Sequence, residues 1–264
     1  MDLWALKLTL TPLAVGLATL IGRRWGPSVG GWVAGIPFTS GPVLLFIALD
    51  HGSGSAGLAA TGVLAGTASQ AAFAFAYSVA ATRWAWSIAL PAGSAAFAAV
   101  TFGLNSLRPA PVPGLEIVIG AIVLAMALMP RARATPLDTL ERRIPGGLDI
   151  GLRAAVATLF VVVLTALVPV VGPTLAGLIS PFPLFAIVLI VFPHRVQGGQ
   201  AAISACRGFL WGLFAFAGFG FALSELLPTA SLAVAFVVAI GGALVVQALT
   251  LLIVRSGRRA PVGG

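Results

Sequence analysis

Runs of about twenty apolar residues follow one another along this chain, and that is the length a helix rising roughly 1.5 Å per residue needs to cross about 30 Å of hydrocarbon. They lie near residues 3–21, 28–49, 56–80, 84–104, 114–129, 152–170, 173–192, 201–227 and 231–254, which makes nine predicted spans. The weakest are the first, which carries Lys7, and the fifth, which opens on Glu116. Charge is correspondingly scarce. Only 8% of the 264 residues are charged, whereas a soluble domain carries about a quarter, so no water-facing surface can be built. The expected fold is an all-α integral membrane protein.

The net charge of +8 would ordinarily suggest nucleic acid, but the basic residues sit singly or in pairs at the ends of apolar runs, where the positive-inside rule accounts for them. Nucleic acid is therefore not an expected partner. With nine spans, one side receives Arg23, Arg24, Arg83, Arg131, Arg133, Arg142, Arg143, Arg195, Arg255, Arg258 and Arg259, and the other little besides Arg108 and Lys7. This predicts a multi-pass protein with its N-terminus outside and its C-terminus in the cytoplasm. Trp4, Trp25 and Trp84 stand near helix ends as interfacial anchors. The start Met1-Asp2-Leu3-Trp4 lacks the charged n-region of a signal peptide, so the first run is read as a retained span.

The longest stretch outside the spans, 130–151, is too short to bury a core of its own, which argues against a soluble catalytic domain. The single cysteine, Cys206, excludes an intramolecular disulfide and makes a structural zinc cluster implausible. Neither cofactor nor metal is expected.

The two halves of the chain match at a constant offset of 146 residues. Gly26-Pro27-Ser28 aligns with Gly172-Pro173-Thr174, Gly31 with Gly177, Pro37 with Pro183, Gly62 with Gly208, Gly66 with Gly212, and Lys7 with Arg153. Five spans separate the starts of the two copies, and an odd number of crossings turns the second copy over. The expectation is an inverted internal repeat, the plan of many secondary transporters. It divides the chain into a first repeat with a connector helix (1–130), a cytoplasmic loop (131–151), a second repeat (152–254) and a cytoplasmic tail (255–264). A homodimer is left open.

Two spans carry proline near mid-membrane, the second at Pro37-Phe38-Thr39-Ser40-Gly41-Pro42 and the seventh at Ser180-Pro181-Phe182-Pro183. Proline removes a backbone donor, and in lipid the freed carbonyls must find protein or water. Discontinuous helices presenting Pro37, Thr39, Ser40, Ser180 and Pro183 to a ligand are one reading, and simple kinks for packing are the other. Arg207, about eight residues into its apolar run, is either an anion contact in a cavity or a snorkelling or paired side chain. Lys7 and Arg153 begin equivalent helices and would guard the two mouths or anchor at the interface. Asp50-His51 offers an acid beside a histidine for proton coupling, with a polar surface turn the blander reading; His194 reads as a loop residue. Gly31-x-x-x-Gly35, Gly62-x-x-x-Gly66 and Gly208-x-x-x-Gly212 allow close helix crossing. Gln70, Tyr77, Asn105, Ser204 and Gln247 either line a path or tie helices together. No catalytic residue is assigned.

The stretch Ala176-Gly177-Leu178-Ile179-Ser180-Pro181-Phe182-Pro183-Leu184-Phe185-Ala186, followed by Gly198 and a helix with Trp211, resembles the GlpM family of small bacterial inner-membrane proteins. The resemblance covers roughly 152–227 and reaches the first half mainly through the repeat, where Ala34-Gly35-Ile36-Pro37 is kept and the following residues depart. It implies a fused, double-length relative of a four-helix protein connected with exopolysaccharide production, and implies no residue roles. The expected function is transport or flipping of a small anionic solute or a phosphate-bearing lipid. The alternatives are a non-transporting partner of an envelope-biosynthesis complex and an intramembrane lipid-modifying enzyme.

Overall fold

The computed structural model describes residues 40–131 and 162–256, together with residues 29, 32, 33, 36, 37, 158 and 159. The predicted first span and most of the 131–151 loop lie outside the described residues. The described helices are α1 (Ser40–Ala80), α2 (Trp86–Leu107), α3 (Pro111–Leu128), α4 (Val162–Val171), α5 (Pro173–Ile179), α6 (Leu184–Gln197), α7 (Gly199–Leu226) and α8 (Leu232–Ser256). Among the described residues five helices are long and apolar enough to cross a membrane: α1, α2, α3, α7 and α8. With its exposed surface rich in Val, Leu and Ile on α3 and α8, this is a multi-pass membrane protein of helices.

Local chemistry explains the helix ends. α1 is two arms, 40–51 and 53–80, joined at Gly52, whose φ of 85° and ψ of 163° suit only glycine. The polar turn predicted around 50–54 is thus a reversal at a single residue. α3 opens on Pro111, whose missing N–H would have had no intrahelical acceptor, so it begins three residues before the predicted Gly114.

The predicted seventh span, 173–192, is not one helix. α5 stops at Ile179, and α6 starts at Leu184 and runs on to Gln197. α5 lies along the second arm of α1, and α6 continues in the same direction, packed chiefly on α7 and meeting α1 again near its far end. Gly62 and Gly177 sit where any Cβ would strike backbone, of Thr174 and Ala59 respectively, and Gly66 is close to the Leu178 carbonyl. Farther along, Gln70 bonds the Pro181 carbonyl, Tyr77 bonds His194, and Gly199 meets Ala81. α5 and α6 therefore form one crossing, parallel to 53–80 and interrupted midway. The small-residue spacing at Gly62 and Gly66 seats the backbone of α5 directly on α1, close enough for Cα–H···O contact.

The contacts also sort the charges. Gly57 packs on Leu227 and Pro228 at one end of the bundle, where Asp50, Arg108, Glu116 and Glu225 lie. Ala81 and Gly199 mark the other end, with Arg83, Arg131 and Arg195. There the Arg195 guanidinium stands 5.2 Å over the Trp86 ring, an interfacial cation–π contact.

Replacing Gly62 or Gly177 by alanine is expected to destabilise the protein by about 1–3 kcal/mol. Gly120→Ala, whose Cβ would meet nothing within 4 Å, should leave stability unchanged or slightly raised. Thermal unfolding in detergent reads the difference, and equal midpoints for all three variants would contradict the direct seating of α5 on α1.

Candidate functional site

The two proline-bearing segments meet. Ser180, just after α5, donates its hydroxyl to Ser40 Oγ at the start of α1 across 2.8 Å, and both side chains are fully buried. This contact joins residues 140 positions apart at the level where each crossing is broken.

Each break loses backbone pairing in a definable way. Pro181 and Pro183 have no N–H for the carbonyls of Gly177 and Ile179. Ile179 O recovers a donor from Phe182 N at 2.8 Å, and Pro181 O takes the Gln70 amide at 2.6 Å. In the other crossing Ile36 N turns back to Val33 O at 3.0 Å, which releases the Trp32 carbonyl from its ordinary partner. Gln247 Nε2 fills that place at 2.9 Å, while the Trp32 indole donates to Thr250 Oγ1 at 3.0 Å. One glutamine from a neighbouring helix thus serves each break. Both glutamines are 3% exposed, and the Oε1 of each has no protein partner among the described residues.

The arm 40–51 and α6 both begin at the breaks and run to opposite ends, the first to the Gly52 turn and the second to Gly198. Gly41 N bonds Pro37 O at 2.9 Å, and Ile187 N bonds Pro183 O at 2.7 Å, each closing a first turn. Two helix N-termini therefore converge on mid-bundle. Each carries the equivalent of about half a positive charge, set beside the carboxyl end of α5, which carries the opposite sign, and among the described residues the centre holds only neutral hydroxyls and amides.

Of the sequence-predicted residues, the structure brings Pro37, Ser40, Ser180 and Pro183 together around the breaks. Thr39, Lys7 and Arg153 lie outside the described residues. Arg207 is elsewhere: its guanidinium donates to the Pro130 carbonyl at 3.3 Å, with Arg131 close by. It stands eight residues before Ala215, which lines a cleft with Pro37, and so about 12 Å along α7 from that level. There it caps the carboxyl end of α3, a favourable place for a cation. Asp50 and His51 stand beside the Gly52 reversal, exposed at one end of the bundle.

His194, expected in a loop, is instead inside α6, 8% exposed, and shares a 3.0 Å hydrogen bond with the buried Tyr77 hydroxyl. Gln70 and Gln247 stood out in the sequence only as polar residues in apolar runs. Their partners are backbone carbonyls on distant segments, which no sequence spacing encodes. Among the described residues no three His, Cys, Asp or Glu side chains gather to hold a metal ion.

Gln70→Leu should leave the Pro181 carbonyl without its donor and destabilise the protein by about 1–3 kcal/mol. Ser40→Ala and Ser180→Ala should each lower stability and combine non-additively, with a coupling of about 0.5–1.5 kcal/mol in a double-mutant cycle. Strictly additive effects in thermal unfolding would show the serines to be energetically independent. No family model matches this chain, and no curated protein or solved structure is similar to it, so the geometry of the two breaks is what bears on function.

Proposed function

We propose that this protein is a secondary transporter or flippase of the bacterial inner membrane, moving a small anionic solute or a phosphate-bearing lipid through the place where the two broken crossings meet. The observation that carries this reading is the buried Ser180–Ser40 hydrogen bond linking the breaks. Opening that bond frees two hydroxyls beside two convergent helix N-termini, and a bound anion would take up those donors. Both serines are fully buried, which on this reading would make the conformation an occluded one.

The reading includes nine spans and an inverted repeat, with the N-terminus outside. Support for the repeat comes from features that recur at 146 residues. Gly52 and Gly198 share φ values of 85° and 86°. The helix ends Ala80 and Leu226 and the helix starts Trp86 and Leu232 obey the same offset, which leaves α3 as the unpaired connector. Duplication of a GlpM-like unit is the ancestry we propose for it. Support for the orientation comes from the basic end of the bundle, which would face the cytoplasm. Arg207 and Arg131 at that end would draw anions toward the mouth rather than bind them at the centre.

A non-transporting partner of an envelope or exopolysaccharide biosynthesis complex is the second reading. The glycine-tight seam of α5 on α1 supports it to the same degree as transport, because so close a contact suits a scaffold as well as a gate.

Reconstitution into liposomes separates the two. Uptake of inorganic phosphate and short organic acids, and flipping of a polyprenyl phosphate, are measured side by side. Transport of one class should fall by roughly tenfold or more in Ser40→Ala/Ser180→Ala, the loss expected when charge-assisted hydrogen bonds are removed. Arg207→Leu should weaken uptake mainly at low salt, because attraction at a mouth is screened. A folded wild-type protein that moves none of these substrates would favour the scaffold.

A further inference from the structure

Between the first broken crossing, α7 and α8 lies a cleft of about 270 Å³. Its inner wall includes Pro37 and Gly41, beside Ser40 of the central pair, and its outer rim is formed by Ile240 and Leu244 of α8. Those two are 48% and 58% exposed and continue the apolar face that α8 turns to the bilayer. Gln247 is the single polar side chain in the lining; its Nε2 donates to the Trp32 carbonyl, while its Oε1 has no protein partner among the described residues.

The same place in the other half is plugged. At the offset of 146 residues Ala243 corresponds to Phe97 and Ile36 to Phe182. Phe97 and Phe182 pack edge to face with centroids 5.2 Å apart. Gly93 lets α2 close onto Phe73, since a Cβ there would stand 3.0 Å from the ring, whereas its counterpart on α8 is Ala239. Two aromatic rings and a missing methyl shut one side of the molecule. Alanine, isoleucine and an added methyl leave the other open.

An apolar hollow of this size does not hold water stably, and leaving it empty forfeits the dispersion contacts of its lining. The medium against its rim is hydrocarbon. We propose that the cleft is a lateral binding site for one hydrocarbon chain of a membrane lipid, placed so that the chain reaches the break at Pro37. On the transport reading given above, on which this second step rests, the substrate is then the phosphate-bearing lipid rather than a free anion.

The test uses the full-length protein in nanodiscs of phosphatidylethanolamine and phosphatidylglycerol, doped with a phosphatidylglycerol carrying a diazirine midway along one acyl chain. Photolabelling mapped by mass spectrometry should favour segments 36–45 and 236–247 over the equivalent surface 90–101. Ala243→Phe, which copies the plug of the other half, should cut that labelling by about fivefold. Phe97→Ala should raise labelling at 90–101, which keeps the comparison intact should the first variant not fold. Equal labelling of the two faces would overturn the proposal. So would unchanged labelling in a folded Ala243→Phe protein, or crosslinks showing residues 1–28 of the chain itself in the cleft. Labelling of the cleft in a protein that moves neither soluble anions nor polyprenyl phosphate retains the site and removes the transport reading. Flux of inorganic phosphate by a protein whose cleft is unlabelled does the reverse.

Discussion

Every backbone polar group at mid-membrane must find a partner inside the protein, because lipid supplies none and each orphan costs several kcal/mol. Proline at 181 and 183 removes two donors where that penalty is largest, and the bend at Ile36 releases another carbonyl in the first broken crossing. The rest of the bundle is arranged around these deficits. Phe182 N turns back to Ile179 O, and Gln70 and Gln247 reach in from neighbouring helices. A leucine in place of either glutamine would suit the surrounding hydrocarbon better. It would leave the break unsatisfied.

That demand explains why the seam between α1 and α5 is built from glycine. A half-helix of seven residues has too few internal hydrogen bonds to hold its own place. It must be positioned by contact along its whole length. Gly62, Gly66 and Gly177 bring its backbone onto α1 so closely that its carbonyls are shielded by the neighbouring main chain. The break can then exist without admitting lipid, and Gln70 stands one turn beyond Gly66 on the same face, where the carbonyl it serves emerges.

Much of this architecture was legible in the sequence, because its determinants are local. Long apolar runs announce membrane helices, and proline at 37 and 183 announces the places where they stop. The reach of α6 past Phe192 was not legible, since Pro193 lies in the helix interior and reads as a terminator by its local chemistry. The pairing of Ser40 with Ser180 and of Tyr77 with His194 depends on how separate crossings pack, and a lone serine or histidine in sequence has no visible partner. Arg207 misled for a related reason. Its depth in an apolar run is apparent, but the exposed carboxyl end of α3 that takes its guanidinium comes from residues more than seventy positions away.

If the halves are copies of one unit, their polar equipment has diverged more than their helices. The positions equivalent to Ser180 and Ser40 are Ala34 and Ala186, so the hydroxyl pair exists in one place only. Gln70 corresponds to Phe216, and Gln247 to Thr101, which bonds Ser69 across 2.9 Å instead of serving a break. Helix ends and turns keep the common offset because they set the shape both halves need. The polar partners do not, and they decide how firmly each break is held. In the transport cycle proposed above the halves would exchange roles, and with identical partners the two facing states would have equal energies apart from the substrate. Unequal partners remove that degeneracy. A few hydrogen bonds of about 1 kcal/mol each suffice to set one resting conformation, since a difference of about 1.4 kcal/mol shifts a two-state population tenfold.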